Sequence, residues 1–252
     1  MKAVFLIAAN LMREIFRKKD FYVLLLLLLL LLVYLLNAAF FGIRDVFRYM
    51  KEIGLGLVFL FSLLISVPFA AKVMIDEAAS KTIYALLAKP LSRFQVIIGK
   101  FLGSLFVAWC SFSFFFFLFV LASVYKQGVF TGILYFQVYV AGLCLLLVLT
   151  AMTLCLSVYC TFSTTITLAY MIYFLMSWFG GGLHESLYKI PLLGQAVYYA
   201  LPHFEFFDLR HRLIHLWEPV PAWVMLALVA YACLYSGAML LCARYGFNKR
   251  WL

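Results

Sequence analysis

Phe21 to Phe41 reads FYVLLLLLLLLLVYLLNAAFF, a stretch without a single charge and with nine consecutive leucines from Leu24 to Leu32. At about 1.5 Å of rise per residue, a helix of this length crosses the roughly 30 Å hydrocarbon core of a bilayer. Arg17, Lys18 and Lys19 stand just before it. A cleaved signal peptide has a shorter apolar core and a small-residue cleavage site. The stretch therefore reads as an uncleaved anchor.

The rest of the chain follows the same pattern. Of its 252 residues, 67% are hydrophobic and 12% charged, whereas soluble domains average about 45–50% apolar and about 25% charged. Lipid must be the solvent for most of it. Six runs are long enough to span: 21–41, 54–75, 94–123, 131–161, 164–183 and 219–243. The third and fourth exceed what a span needs and are expected to tilt or to project beyond the bilayer. The expected fold is an all-α integral membrane protein, one transmembrane domain over residues 1–252, with no internal repeat and no low-complexity linker.

Orientation follows from the basic residues. With both termini inside, 13 of the 20 Lys and Arg residues fall in cytoplasmic segments and 7 outside. Four of the 10 carboxylates lie inside and six outside, so the net charge is +9 within (13 − 4) and +1 without (7 − 6). The excess of Lys and Arg selects an N-in, C-in topology. The overall +10 is thus a membrane signature, and nothing points to nucleic acid. The six cysteines form no C-x-x-C pair, which suggests neither a disulfide framework nor a zinc site.

Three segments stand apart from the spans. In residues 1–20, Val4, Ala8, Leu11 and Ile15 share one helical face while Lys2, Arg13 and Arg17 fall elsewhere. That pattern suits an amphipathic helix in the cytoplasmic interface, although a plain basic flank would read similarly. Residues 184–218 are too aromatic for a loose loop and are expected to form short helices in the outer interface. Within them, Pro202, Glu205, Asp208, Arg210 and Arg212 sit among Phe204, Phe206, Phe207 and Leu209. The spacings Glu205–Arg212 and Asp208–Arg212 would let opposite charges pair, making the segment either a movable outer gate or a fixed cap. The third segment, IDEAASKTIYALLAKPLSR (Ile75 to Arg93), has Ala79, Ile83, Leu86 and Leu87 at helical spacing, acidic residues first and Pro90 as a stop. It is expected to be a short cytoplasmic helix over 76–92, which is either a handle for a soluble partner or a float on lipid headgroups. Thr161 to Thr165, TFSTT, reads as a simple hairpin turn between the fourth and fifth spans.

Several kinds of chemistry are missing. No Asp or Glu lies inside the six runs, so the ionisable relay of ion-driven carriers has no candidate. Lys72 and Lys100 stand near cytoplasmic ends, where a long side chain can snorkel to water. No phosphate-cradling G-x-x-x-x-G-K-[ST] loop occurs; before Gly99-Lys100, Phe94 takes the place of the first glycine. HESLY has Tyr188 where a zinc protease needs its second histidine. His211 and His215 are four apart, a weak metal signal on its own. No catalytic residue, metal or cofactor is assigned to this chain.

Glu77, then KTIYALLAKPLSR (Lys81 to Arg93), then GKFLG (Gly99 to Gly103) resembles the signature of type-2 ABC exporter permeases. Glu77, Thr82, Ile83, Leu86, Leu87, Pro90, Ser92, Arg93, Gly99 and Lys100 match it, while Lys81 stands where many members have Gly. FRKKDFYVLLL (Phe16 to Leu26) and LPHFEFFDLR (Leu201 to Arg210) are also similar to the family. The resemblance implies a permease subunit of a bacterial cytoplasmic (inner) membrane with no catalysis of its own. It implies a second permease, a copy or a relative, and two copies of a separate ATPase subunit that hold ATP and Mg. It implies that the 1–20 helix and a coupling helix touch that ATPase, the latter through Glu77, Lys81, Thr82, Ile83, Leu86, Leu87, Lys89, Pro90, Ser92 and Arg93. Two other readings of the residues stay open: a secondary transporter, or a membrane scaffold or assembly factor that moves nothing.

Overall fold

Long apolar runs without helix breakers should fold into long helices, because lipid offers the backbone no other hydrogen-bond partner. The computed structural model describes residues 19–37, 46–79, 93–127, 132–188 and 201–250. They form α1 (Lys19–Asn37), α2 (Val46–Ala79), α3 (Arg93–Gln127), α4 (Gly132–Tyr159), α5 (Phe162–Tyr188), a 3₁₀ turn (Phe204–Phe207), α6 (Arg210–His215) and α7 (Ala222–Arg250). Among the described residues the fold is 92% helical with no strand. Five helices, α2, α3, α4, α5 and α7, are long and apolar enough to cross a membrane. α1 carries the polyleucine run within 19 helical residues. The expected interfacial helix over 1–20 lies, up to residue 18, outside the described residues.

The helices overrun the apolar runs that predict them. α2 begins at Val46 and not at 54, so Arg48, Lys51 and Glu52 are helical. It also continues to Ala79, so Asp76 and Glu77 extend α2 and do not open a separate helix at 76. Nothing in IDEAA stops a helix, and its alanines favour continuation. α5 runs to Tyr188 and absorbs HESLY, the expected start of the outer segment, and α7 passes 243 to reach Arg250. Hydropathy marks where a chain is apolar, whereas a helix ends where its backbone bonding is broken.

α4 is the centre, packed against α2, α3, α5 and α7. Its sequence is apolar on every side, as a helix surrounded by others requires, and 78% of its spanning window is buried. The figures for α5 and α7 are 22% and 17%, so these helices turn broad apolar faces outward, including Met171, Trp178, Trp223 and Leu234. Several hydroxyls inside the bundle bond to their own helices: Thr150 Oγ1 donates to Leu146 O at 2.7 Å and Thr153 Oγ1 to Leu149 O at 2.7 Å. Such back-bonding lets a hydroxyl be buried without an orphaned polar atom.

Between α4 and α5 only Cys160 and Thr161 intervene, bridged by Cys160 N–H to Leu156 O and Thr165 N–H to Thr161 O, both 2.9 Å. Of the TFSTT expected as a turn, only Thr161 lies in it; Phe162 to Thr165 already belong to α5. All six cysteines are free thiols. The core has two parts. A large cluster holds Phe59, Phe112, Phe115, Phe119, Leu149, Phe204 and Phe207. A smaller one holds Met74, Ile97, Phe101, Leu105, Leu154, Val158 and Phe247, at the end of the bundle where α2 finishes and α3 begins.

Candidate functional site

The large cluster is covered at its end by residues 201–220. In the 3₁₀ turn, residues three apart eclipse one another, so Phe204 and Phe207 both point inward and are buried, while Phe206 is exposed. The Phe204 ring meets Tyr173 of α5 edge-on, with centroids 5.3 Å apart. Pro202 is buried beside the turn. The next backbone N–H, that of His203, donates to Tyr231 Oη of α7 at 3.1 Å. The segment is thus a lid seated on α5 and α7.

Its charges are arranged locally. Asp208 accepts from Arg210 Nε at 2.7 Å, Nη2 at 2.6 Å and the backbone N–H at 3.2 Å. This two-pronged fork is the strongest geometry available to such a pair. The guanidinium carbon lies 5.2 Å from the ring centre of Phe59 in α2, a cation–π contact that fastens the pair to a span. Burial alone would raise the Asp208 carboxyl, but the Arg210 hydrogen bonds and charge outweigh it and hold it below its ordinary value. Burial likewise opposes the Arg210 charge, and the bonds to Asp208 outweigh it in turn.

Arg212 does not pair with Glu205 or Asp208, as the spacing suggested. Its Nη1 donates to Glu218 O at 3.0 Å, while Glu205 lies 3.7 Å from His203 Nδ1. The reason is the helix start. α6 begins only at Arg210, so Asp208 precedes it and the four-residue helical spacing does not apply across the junction. His211 and His215 stack face to face at 6.3 Å, and His215 stacks on Trp217 at 5.3 Å. Stacking does not aim their lone pairs at one point, and among the described residues no three metal-ligating side chains converge. Arg48 Nη2 meets His215 Nε2 at 3.1 Å; guanidinium only donates, so this imidazole nitrogen accepts.

The sequence reading missed two members of this end. Gln137 of α4 is buried, donating Nε2–H to Val220 O at 2.7 Å and accepting from Val220 N–H at 3.0 Å. One side-chain amide thus satisfies both backbone groups of the residue that leads into α7. The available signal was an amide standing alone in an otherwise apolar run, 132–149. Lys51, expected in an outer loop, is buried on α2; only the helix start at Val46 places it there. Between α3 and α4 lies a cavity of about 540 Å³ lined by rings such as Phe116 and Tyr139. Tyr139 Oη already bonds Ser113 Oγ at 2.8 Å, so the lining offers mainly apolar surface.

At the opposite end, Lys81, Thr82, Ile83, Leu86, Leu87, Lys89, Pro90 and Ser92 lie outside the described residues. Their flanks are placed: Glu77 in the last turn of α2 and Arg93 at the first residue of α3, two helices packed on each other. Lys100 does not snorkel. It is fully buried, and its ammonium donates to Val73 O of α2 at 3.0 Å. Arg244 of α7 stacks on Phe94 of α3 at 5.1 Å, and Tyr159 Oη donates to Cys242 O at 2.9 Å. The ends of α2, α3, α4 and α7 are thereby knit together around the small cluster.

Comparison with curated proteins gives no match. A family model described as ABC-2 family transporter protein matches residues 5–198 of the 252. The chain belongs to that family, multi-pass permease components of ABC transporters that generally work with a separate ATP-binding subunit.

Proposed function

We infer that this chain is the transmembrane permease of an ATP-driven exporter in a bacterial cytoplasmic membrane, with six spans and both termini inside. It pairs with a second permease, and each rests on one copy of a separate ATPase that supplies the ATP and Mg site. The observation that carries this reading is the family match across residues 5–198. It is supported by a chain with no phosphate-binding loop of its own and by the charge split of 13 against 7. On this reading α1 is the sixth span, and the small cluster lies on the cytoplasmic side.

Coupling is assigned to the segment from Glu77 to Arg93. Its two flanks end in the small cluster, so a push on the segment is delivered to four helices together. The lid is assigned as the outer gate: it would move as a unit, carrying its Asp208–Arg210 pair and breaking the contacts of His203 with Tyr231, of His215 with Arg48 and of Val220 with Gln137. Leu86→Asp is the test of coupling. A carboxylate forced into a protein contact without a partner costs about 3–5 kcal/mol, so the variant is expected to lose the ATPase on co-purification or to hydrolyse ATP without transport. Unchanged binding and transport would rule the segment out. For the gate, spin labels at the exposed Glu218 of paired permeases are expected to change separation between nucleotide-free and ATP-trapped states. Equal distances in both would make the lid a fixed cap.

A further inference from the structure

An ammonium buried inside a membrane span demands an explanation, because a charge is taken from water only when something specific holds it. Lys100 is 0% exposed, deeper than any other Lys or Arg of the described residues. It lies on α3 two turns after Arg93, and its acceptor, Val73 O, lies on α2 one turn before Glu77. The bond therefore joins the two helices that flank the coupling segment, on both sides of it. Val73 O is also inside a continuous helix, so the ammonium is an added donor and not the only means of satisfying that carbonyl. Its neighbours along the helices, Met74, Ile97 and Phe101, belong to the small cluster, which also takes in α4 and α7.

We propose that Lys100 is a positioning residue that ties the end of α2 to α3, so that the small cluster moves as one body when the ATPase pushes on the coupling segment. This rests on the permease reading above. Without the tie, α3 would follow the push while the last turns of α2 lagged, and the displacement would not pass whole into α4 and α7. A purely structural lysine would act differently. Val73 O keeps its place in the α2 ladder, so removing the ammonium takes a charge out of a buried site without orphaning that carbonyl.

The test uses Lys100→Met, which keeps the volume and removes the donor, and Lys100→Arg, which keeps a donor. In the purified permease, amide hydrogen exchange over residues 70–79 is expected to be at least about tenfold faster in Lys100→Met, with the centre of α4 unchanged and the thermal midpoint preserved. Lys100→Arg is expected to keep the protection. Exchange over 70–79 equal to wild type in Lys100→Met, or equally fast in a folded Lys100→Arg, overturns the tie. In the complex with the ATPase, ATP binding is expected to alter exchange at residues 239–247 of α7 in the wild type, and this response is expected to be lost in Lys100→Met. A full response in Lys100→Met overturns the coupling role. A wild-type chain that assembles with no ATPase strikes the permease reading instead, and the exchange of the isolated chain still decides the tie.

Discussion

Around Phe112, three aromatic rings (Phe59, Phe116 and Tyr139) are centred 5.4 to 5.9 Å away. At the Lys100 end the small cluster packs Met74, Ile97, Leu105 and Val158 beside Phe101 and Phe247. Interlocked rings have few alternative arrangements, because moving one displaces its neighbours. Aliphatic chains and methionine repack more readily. The polar groups differ in the same sense. Near the lid, Gln137 grips a loop backbone through two bonds in fixed geometry, whereas at the other end a long lysine side chain reaches a helix carbonyl. The bundle thus joins a stiffer aromatic half to a half of more adaptable aliphatic packing, a division that the proposed drive from one end would use.

Gln137→Leu attacks the stiff half most directly. It orphans the N–H and the C=O of Val220 in a buried site, each at about 1–3 kcal/mol, so a total loss of about 3 kcal/mol is expected in chemical denaturation in detergent micelles. A loss no greater than that of an exposed-site control would mean that water replaces the amide and that this end is looser than its geometry suggests. Glycines then compare the halves on equal chemistry. A Cβ on Gly142 would strike the Phe112 ring, and one on Gly246 would strike the Tyr159 ring. Phe112 is buried among other rings and cannot retreat, so Gly142→Ala is expected to cost about 2–3 kcal/mol. Tyr159 is half-exposed and can swing away, giving up its bond to Cys242 O. Gly246→Ala is expected to cost about 1 kcal/mol. The reverse order would overturn the assignment of stiffness.

Much of this was legible in the sequence, and the rest was hidden for identifiable reasons. Hydropathy locates the helices, because in lipid an apolar run has no other way to satisfy its backbone. It misplaces their ends, since Asp76 and Glu77 at one terminus and Arg48 and Lys51 at another are polar residues in unbroken helices. Composition flagged the segment; there Asp208 and Arg210 meet each other, Arg212 reaches the Glu218 carbonyl and Glu205 lies beside His203. The pairing was misjudged because it depends on whether Asp208 lies inside α6 or before it, a matter of one turn. Lys100 was readable as an intramembrane cation, but not as a buried one. Its position near a run's end suggested water within reach, while only the three-dimensional neighbourhood shows α2 standing in the way.

The smallest expected effect concerns the lid pair, and its sign follows from the Asp208 carboxyl being held below its ordinary value. A group whose folded value is depressed contributes stability that is present above the unfolded value, about 3.9 for Asp, and that is lost as pH falls through the folded value. Asp208→Asn keeps an acceptor oxygen but exchanges charge-assisted bonds for neutral ones, a loss of about 1 kcal/mol. The difference in stability between wild type and Asp208→Asn is therefore expected to stay constant from pH 8 to pH 5 and to shrink only below about pH 4. Positive charge on the nearby His211 acts on the carboxylate in the same direction as Arg210. A difference that vanished between pH 7 and pH 5 would mean that a histidine, and not the Arg210 fork, holds the lid. The outer end would then be a proton-sensitive hinge, not the stiff counterpart of the Lys100 end.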